Sequence, residues 1–249
     1  MRQLVPSWLV RVALPPVCVA AFALSVPAAP PEPVLNSNFN LTSISENEAS
    51  TSMVIDPILR ESEKLPAARR DLLDAAAKEI LAAKSDGRVA LVAVCTHNSR
   101  RSQFAQAWCE VAVDHYKMSG LDCYSCGTEA TACNPRTIAA LERSGWLVER
   151  PTATESNPRY KCTLGNAPSV TLWSKAFGDE SLPTKQIVAM MCCDEADQAC
   201  PHVPGAVARI PLHYVDPKVS DSTAQESPNY DQRCNQIAAE MFYLVRQLR

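Results

Sequence analysis

Cys95 and Arg101 are separated by five residues, and Ser102 follows directly, within the stretch VAVCTHNSRRSQFAQAW. A cysteine thiolate is a nucleophile, and a guanidinium presents a planar fork of N–H donors that matches two oxygens of a tetrahedral anion. Ser102 can donate a hydrogen bond to the thiolate, and Asn98 can brace the short segment between the two. These residue types at this spacing predict attack by a cysteine on a bound tetrahedral oxyanion.

The flanking sequence predicts how this pair is positioned. Residues 89–94 form a continuous apolar run with β-branched side chains, which is typical of a buried parallel strand that ends at Cys95. A helix is predicted from Ser102, and its free backbone N–H groups and dipole would bind an anion and favour the thiolate. We call residues 96–101 the anion loop. The predicted substrate-binding residues are Thr96, His97, Asn98, Ser99, Arg100, Arg101 and Ser102.

The rest of the chain alternates strand and helix patterns. Further strands are predicted at residues 121–126, 186–191 and 208–212, and a helix with Asn134 as its N-cap and Pro135 at its first position follows the first of these. Such alternation predicts an α/β fold, with a four-stranded parallel sheet and helices on both faces. Sites in this architecture form at the carboxyl ends of the strands, where Cys95 stands.

Composition divides the chain into segments. Residues 1–29 carry arginines and an apolar stretch, which indicates a signal or targeting segment unless the start is misassigned, and residues 30–52 read as a linker. Residues 53–88 predict a helical extension that Pro66 splits in two. The catalytic domain is predicted at 89–249, with an inserted hairpin or loop at 151–185.

Charge and cysteine usage limit the possible functions. A net charge of −3 argues against a broad nucleic-acid or membrane-surface footprint. Eleven cysteines are an odd number without the spacing of an extracellular disulfide framework, and the pair Cys123 and Cys126 lacks the second pair that structural zinc needs. We expect no bound metal or cofactor. The cysteines predicted to be buried as small hydrophobic residues are Cys109, Cys123, Cys126, Cys133, Cys162 and Cys234.

From about Val89 to the C-terminus the sequence resembles the low-molecular-weight protein tyrosine phosphatase superfamily. VCTHNSRRS is similar to its phosphate-binding loop, and YSCGTEATACNPRTIAALERSGW is similar to its second strand and following helix. The resemblance includes the thioredoxin-coupled arsenate reductases of arsenic detoxification. It implies a catalytic Cys95 and Arg101, with an acid downstream of the nucleophile. Asp216, followed by Pro217, matches the Asp-Pro loop that carries this general acid.

The stretch MMCCDEADQACP resembles the redox segment of those arsenate reductases. Cys193 and Cys200 have the family's spacing, although Cys192 fits equally if one residue is inserted. The resemblance implies a thiol relay: Cys95 attacks arsenate, Cys193 or Cys192 attacks Cys95 and releases arsenite, and Cys200 takes over the disulfide. A thioredoxin-like external thiol would then reduce the enzyme.

Two other functions stay open. The anion loop and Asp216 suffice for a phosphatase that hydrolyses phosphomonoesters through a phosphocysteine, although Lys218 and Val219 stand where phosphotyrosine-specific members carry tyrosines. A non-catalytic binder of phosphate or of a phosphorylated partner is the third possibility. We expect a catalytic domain that is not embedded in a membrane. Recycled thiols fit a reducing compartment such as the cytoplasm, whereas residues 1–29 suggest export or an organelle.

Overall fold

The computed structural model describes residues 41–152, 154–200 and 202–249 of the chain. The predicted targeting segment and the first part of the predicted linker lie outside the described residues. No helix within the described ranges has the length and apolar character needed to cross a membrane.

The strands of the described residues form two sheets. They are β1 (Val89–Cys95), β2 (Leu121–Gly127), β3 (Leu147–Glu149), β4 (Tyr160–Thr163), β5 (Val170–Leu172), β6 (Ile187–Met191) and β7 (Ala206–Pro211). The larger sheet has the order β2-β1-β6-β7, and every pair in it is parallel. All residues of β1 and β6 are buried, as their apolar sequences require of inner strands.

Helices flank this sheet. They are α1 (Leu41–Glu63), α2 (Ala67–Ala83), α3 (Arg101–His115), α4 (Pro135–Arg143), α5 (Asp194–Ala199) and α6 (Glu226–Arg246), and a short 3-10 helix spans Pro217–Ser220. Helix α3 packs on β1 and β2, α2 packs on β6 and β7, and α6 packs against α1, α2, α3 and α4. The predicted α/β fold with its four-stranded parallel sheet is therefore confirmed.

The N-terminal helices differ from the prediction in one respect. Helix α1 begins at Leu41, so the second half of the predicted linker 30–52 is helical, and helical structure does not begin at residue 53. Residues 41–52 are rich in Ser and Thr, which suggested a linker, but they contain neither Pro nor Gly to interrupt a helix. Pro66 lies at the start of α2 and separates the two helices, as expected. Arg69 of α2 forms a two-point ion pair with the buried Glu240 of α6.

The predicted insertion 151–185 is more ordered than a single hairpin. Strands β4 and β5 pair with each other, and β3, which precedes residue 151, completes a three-stranded antiparallel sheet. Tyr160, Cys162, Val170 and Leu172 point inward and are buried, because alternate residues of a strand share a face. The chain then returns past the end of β2 before it enters β6, and this return passes next to the anion loop.

Candidate active site

The nucleophile candidate, Cys95, is the last residue of β1. It is only 3% exposed and pairs in register with Gly127 at the end of β2. Its Sγ lies 3.0 Å from the Oγ of Ser102 in the first turn of α3. The same Oγ accepts a hydrogen bond of 2.8 Å from the side-chain amide of Asn98. Since that bond occupies a lone pair of the hydroxyl, the hydroxyl proton is free to point at the sulfur.

Backbone N–H groups of the anion loop have no acceptor in the described part of the chain. The amides of residues 97–103 donate neither to a backbone carbonyl nor to a side chain there, and Arg100 at the N-cap of α3 offers no capping bond. A helix start normally satisfies these donors with a capping side chain. Amides left uncapped next to a positive helix end are suited to a tetrahedral anion.

Asn98 fixes the shape of the anion loop. Its φ is +44°, a left-handed conformation that asparagine tolerates better than most residues. Its side-chain oxygen accepts a 2.8 Å bond from the backbone amide of Lys175, and its carbonyl accepts a 2.7 Å bond from the Gln103 side chain. Asn98 is fully buried, so every one of these bonds is shielded from water.

The chain leaving β5 holds the loop from the other side, and we call residues 173–177 the clamp segment. Ser174 Oγ donates to the carbonyl of His97 at 2.8 Å, and the Trp173 carbonyl accepts from Gln103 at 2.7 Å. The amide of Gly127 donates to the Lys175 carbonyl, which joins the clamp segment to the end of β2. The inserted region therefore braces the anion loop.

The arginine candidate, Arg101, is 7% exposed and only partly satisfied. One terminal nitrogen donates to the carbonyl of Tyr214 at 3.0 Å, and the other lies 2.9 Å from the carboxylate of Asp216. Its Nε is buried and has no hydrogen-bond partner among the described residues. A buried donor of this kind is costly unless an acceptor reaches it, and an anion in the loop would be such an acceptor.

Arg100, which the sequence predicts to bind substrate, pairs with a carboxylate in the structure. Its Nε donates to Asp216 at 2.8 Å and its terminal nitrogen approaches the other carboxylate oxygen at 3.4 Å. Burial alone would raise the pKa of Asp216, but Arg101, Arg100 and the amide of Lys218 together hold that pKa below its ordinary value. The two arginines and this amide therefore favour the charged form of the predicted general acid.

The two adjacent thiols differ in their surroundings. Cys193 Sγ lies 3.7 Å from Thr96 Oγ1, so this thiol borders the anion loop. Cys192 is enclosed in the core, and its thiol donates to the carbonyl of Met190. Burial raises the pKa of Cys192 well above its ordinary value, with the negative charge of a Cys95 thiolate acting in the same direction. Burial also raises the pKa of Cys193, and Arg101 and the Ala196 amide oppose this.

Helix α5 separates Cys193 from Cys200. Cys193 is its N-cap residue and Cys200, which is partly exposed, is its C-cap residue. The carboxylates of Asp194 and Asp197 flank the ring of His213 after β7, with Nε2 of His213 3.1 Å from Asp197. The structure thus places the third predicted thiol one short helix away from the loop.

The remaining predicted residues lie at the loop but serve different contacts. His97 is partly exposed, with its ring 3.9 Å from the carboxylate of Glu129. Ser99 turns away from the loop interior and donates to the Ala132 carbonyl at 2.7 Å.

Sequence reasoning missed the clamp segment, because nothing in its composition marks contact with residues so far away. Gly127 gave a usable signal, since a glycine that ends a strand beside Cys95 indicates close backbone approach.

Several known proteins are similar to parts of this chain. No family model matches the chain. An arsenate reductase from Bacillus subtilis (strain 168) is 28% identical over 141 residues, which cover 56% of this chain and 82% of that protein. A solved arsenate reductase in the phosphate-binding state has a TM-score of 0.43 at 17% identity, covering 65% of this chain and 99% of its own. A low-molecular-weight phosphotyrosine phosphatase from Vibrio cholerae has a TM-score of 0.42 at 15% identity, covering 64% and 95%.

The curated relatives, which are named arsenate reductases, agree with the resemblance that the sequence motifs indicate. Their names support an enzyme.

Proposed function

We propose that the protein is an arsenate reductase that works through a thiol relay. The observation that carries the proposal is the contact of Cys193 Sγ with Thr96 of the anion loop, because a phosphatase has no need of a second thiol there. Support comes from the curated relatives, which are named arsenate reductases. The substrate class is then a small tetrahedral oxyanion.

The first step binds arsenate in the anion loop. The amides of residues 97–103 and Arg101 would hold its oxygens, with the orphan Nε of Arg101 as one donor. The Cys95 thiolate attacks the arsenic of the dihydrogen arsenate anion, a sulfur–arsenic bond forms, and one oxygen leaves as water that takes both protons of the substrate. Charge and atoms balance without a proton from the protein.

The second step reduces arsenic. A thiolate at Cys193 attacks the Cys95 sulfur, the sulfur–arsenic bond breaks, and its electron pair stays on arsenic, which leaves as arsenite after taking up protons. Two thiolates have been oxidised to a disulfide and arsenic has been reduced by two electrons. We prefer Cys193 to Cys192 for this step because Cys193 borders the anion loop and has the spacing to Cys200 that the resemblance implies.

The third step moves the disulfide to Cys193 and Cys200 and restores the Cys95 thiolate. A helical rise of about 1.5 Å per residue puts the Cα atoms of these two residues ~10 Å apart across α5. A disulfide needs Cα atoms within about 7 Å, so α5 has to unwind in this step. An external thioredoxin-like dithiol then reduces the exposed disulfide.

Phosphatase activity is the second candidate, and the contact of Arg101 with Asp216 supports it. The two activities need different thiols, and this separates them experimentally. We would follow arsenate-dependent NADPH oxidation with thioredoxin and its reductase, alongside aryl phosphate hydrolysis. The variants are Cys95→Ser, Cys193→Ser, Cys200→Ser and, as the matched control for Cys193, Cys192→Ser.

The relay predicts that Cys95→Ser abolishes both activities. Cys193→Ser and Cys200→Ser should abolish arsenate reduction and spare ester hydrolysis, whereas Cys192→Ser should keep both. If wild type reduces no arsenate but hydrolyses phosphate esters, the protein is a phosphatase. Oxyanion binding without either turnover would instead identify a binder.

A further inference from the structure

The position next to Arg101 holds a second arginine, which pairs with a carboxylate. Arg100 is 8% exposed, and its guanidinium lies along the carboxylate of Asp216 with Nε–Oδ1 and terminal nitrogen–Oδ2 distances of 2.8 and 3.4 Å. A two-point guanidinium–carboxylate pair in a half-buried setting is strong and geometrically specific. The charged groups that face Asp216 are these two arginines, with Glu195 and Tyr230 at longer range.

The two arginines respond differently to a bound anion. Arg101 is the last residue of the anion loop, and its Nε has no partner among the described residues, so its guanidinium is the one that an oxyanion would draw away from Asp216. Within the described part of the chain, the Arg100 side chain donates hydrogen bonds to this carboxylate alone. With substrate bound, Arg100 is therefore the cation that keeps Asp216 negatively charged.

Phosphate monoesters and arsenate place different demands on Asp216. When the Cys95 thiolate attacks a phosphate ester dianion, a sulfur–phosphorus bond forms, the ester oxygen leaves with its electron pair, and a proton must come from the protein. Arsenate in its singly charged dihydrogen form supplies both protons of the departing water itself. A carboxylate at position 216 therefore impairs the first reaction more than the second.

We infer that the ion pair from Arg100 to Asp216 is a specificity determinant that favours oxyanions bearing their own protons over phosphate monoesters. This inference rests on the proposed oxyanion chemistry of the anion loop, and it assigns to Arg100 a positioning role through Asp216. Arg100 touches no reacting atom.

The test compares two esters in the full-length protein. Phenyl phosphate has a poor leaving group that needs a proton, whereas p-nitrophenyl phosphate has a good one, since the nitro group stabilises the phenolate. General acid catalysis contributes about 10²- to 10⁴-fold. Arg100→Gln should therefore raise kcat/KM for phenyl phosphate at least about 10-fold, with a much smaller rise for p-nitrophenyl phosphate.

Asp216→Asn supplies the internal check. In the Arg100→Gln background it should remove the gain in kcat/KM for phenyl phosphate. Arg143→Gln is the matched control, because Arg143 forms a comparable pair with Asp231 at 2.6 Å on the surface. This variant should leave the hydrolysis of both esters unchanged. Arg100→Lys, which keeps the charge but loses the fork, should give an intermediate ratio.

If Arg100→Gln changes kcat/KM for both esters in parallel, or changes neither, the inference is wrong. It is also wrong if Asp216→Asn alone lowers phenyl phosphate hydrolysis about 100-fold, because the acid would then already be protonated. This second measurement needs no variant of Arg100. Arsenate reduction is assayed separately. If the protein reduces no arsenate but the two esters respond as predicted, the proposed function is wrong and the inference about Arg100 still holds.

Discussion

Asn98 offers the sharpest test of how the site is built. We expect Asn98→Ala to destabilise the fold and to impair the anion loop, whereas Asn98→Gly should have a smaller effect on stability. The two variants remove the same side-chain hydrogen bonds, to Ser102 and from the amide of Lys175. They differ in backbone freedom, because glycine adopts the φ of +44° found here without strain.

The structure sets the expected magnitudes. The Lys175 amide becomes a buried donor without a partner, which costs about 1–3 kcal/mol. Loss of the bond to Ser102 adds ~1 kcal/mol. A left-handed alanine adds about 1 kcal/mol more. We therefore expect the free energy of unfolding to fall by about 4 kcal/mol for alanine and about 3 kcal/mol for glycine.

Urea denaturation of the full-length variants, followed by circular dichroism, measures these differences. The m-value should stay constant if only stability changes. The rate of Cys95 alkylation by iodoacetamide reports on the site, and it should change in both variants because Ser102 loses its fixed orientation. Equal losses for alanine and glycine would refute the argument from φ. Losses below about 1 kcal/mol in both would refute the argument from buried hydrogen bonds.

Three further predictions concern stability and the loop. Glu240→Gln leaves Arg69 facing a neutral partner and should lower the free energy of unfolding in urea by about 3–5 kcal/mol. Adding Arg69→Met should restore part of this loss. A loss below ~1 kcal/mol would show that α2 is only loosely attached. Burial and the nearby Asp122 raise the pKa of Glu110 to about 7, so its contribution to stability is present below the unfolded value and is lost as pH rises through the folded value. Glu110→Gln should therefore be more stable than wild type by about 2 kcal/mol near pH 8, with no gain near pH 4, and a pH-independent difference would contradict this. Gly127→Ala puts a Cβ 2.6 Å from backbone atoms of the anion loop and should weaken phosphate inhibition of ester hydrolysis at least about 10-fold, whereas Gly178→Ala, with open space around it, should not.

The sequence predicted the sheet and the position of Cys95 at the end of a strand because each rests on a local pattern. A buried strand that ends at a cysteine and a helix that starts six residues later are both readable from neighbours in the chain. The contact of Arg100 with Asp216 could not be predicted from the sequence. Its partner Asp216 is 116 positions away, and adjacent arginines in a loop give no indication of which one faces the ligand.

Lys175 shows a second limit of sequence reasoning. A lysine in a polar stretch is expected at the surface, yet this one is 2% exposed, with its Nζ 3.9 Å from the centre of the Trp173 ring. Burial lowers its pKa to about 8. The environment that buries it forms only after the inserted sheet has folded, so no local signal identifies it.

The long reach of the contacts that hold the anion loop has a consequence for how the enzyme matures. Asn98 is tied to a residue 77 positions later, and Arg100 to one 116 positions later. Ordering the loop therefore requires closure of large chain segments, which slows folding relative to local structure. During synthesis Cys95 leaves the ribosome well before Asp216. For that interval the Cys95 thiol is part of an incompletely folded chain. An oxidant could then join it to another cysteine in a disulfide, and a reducing environment during folding would protect it.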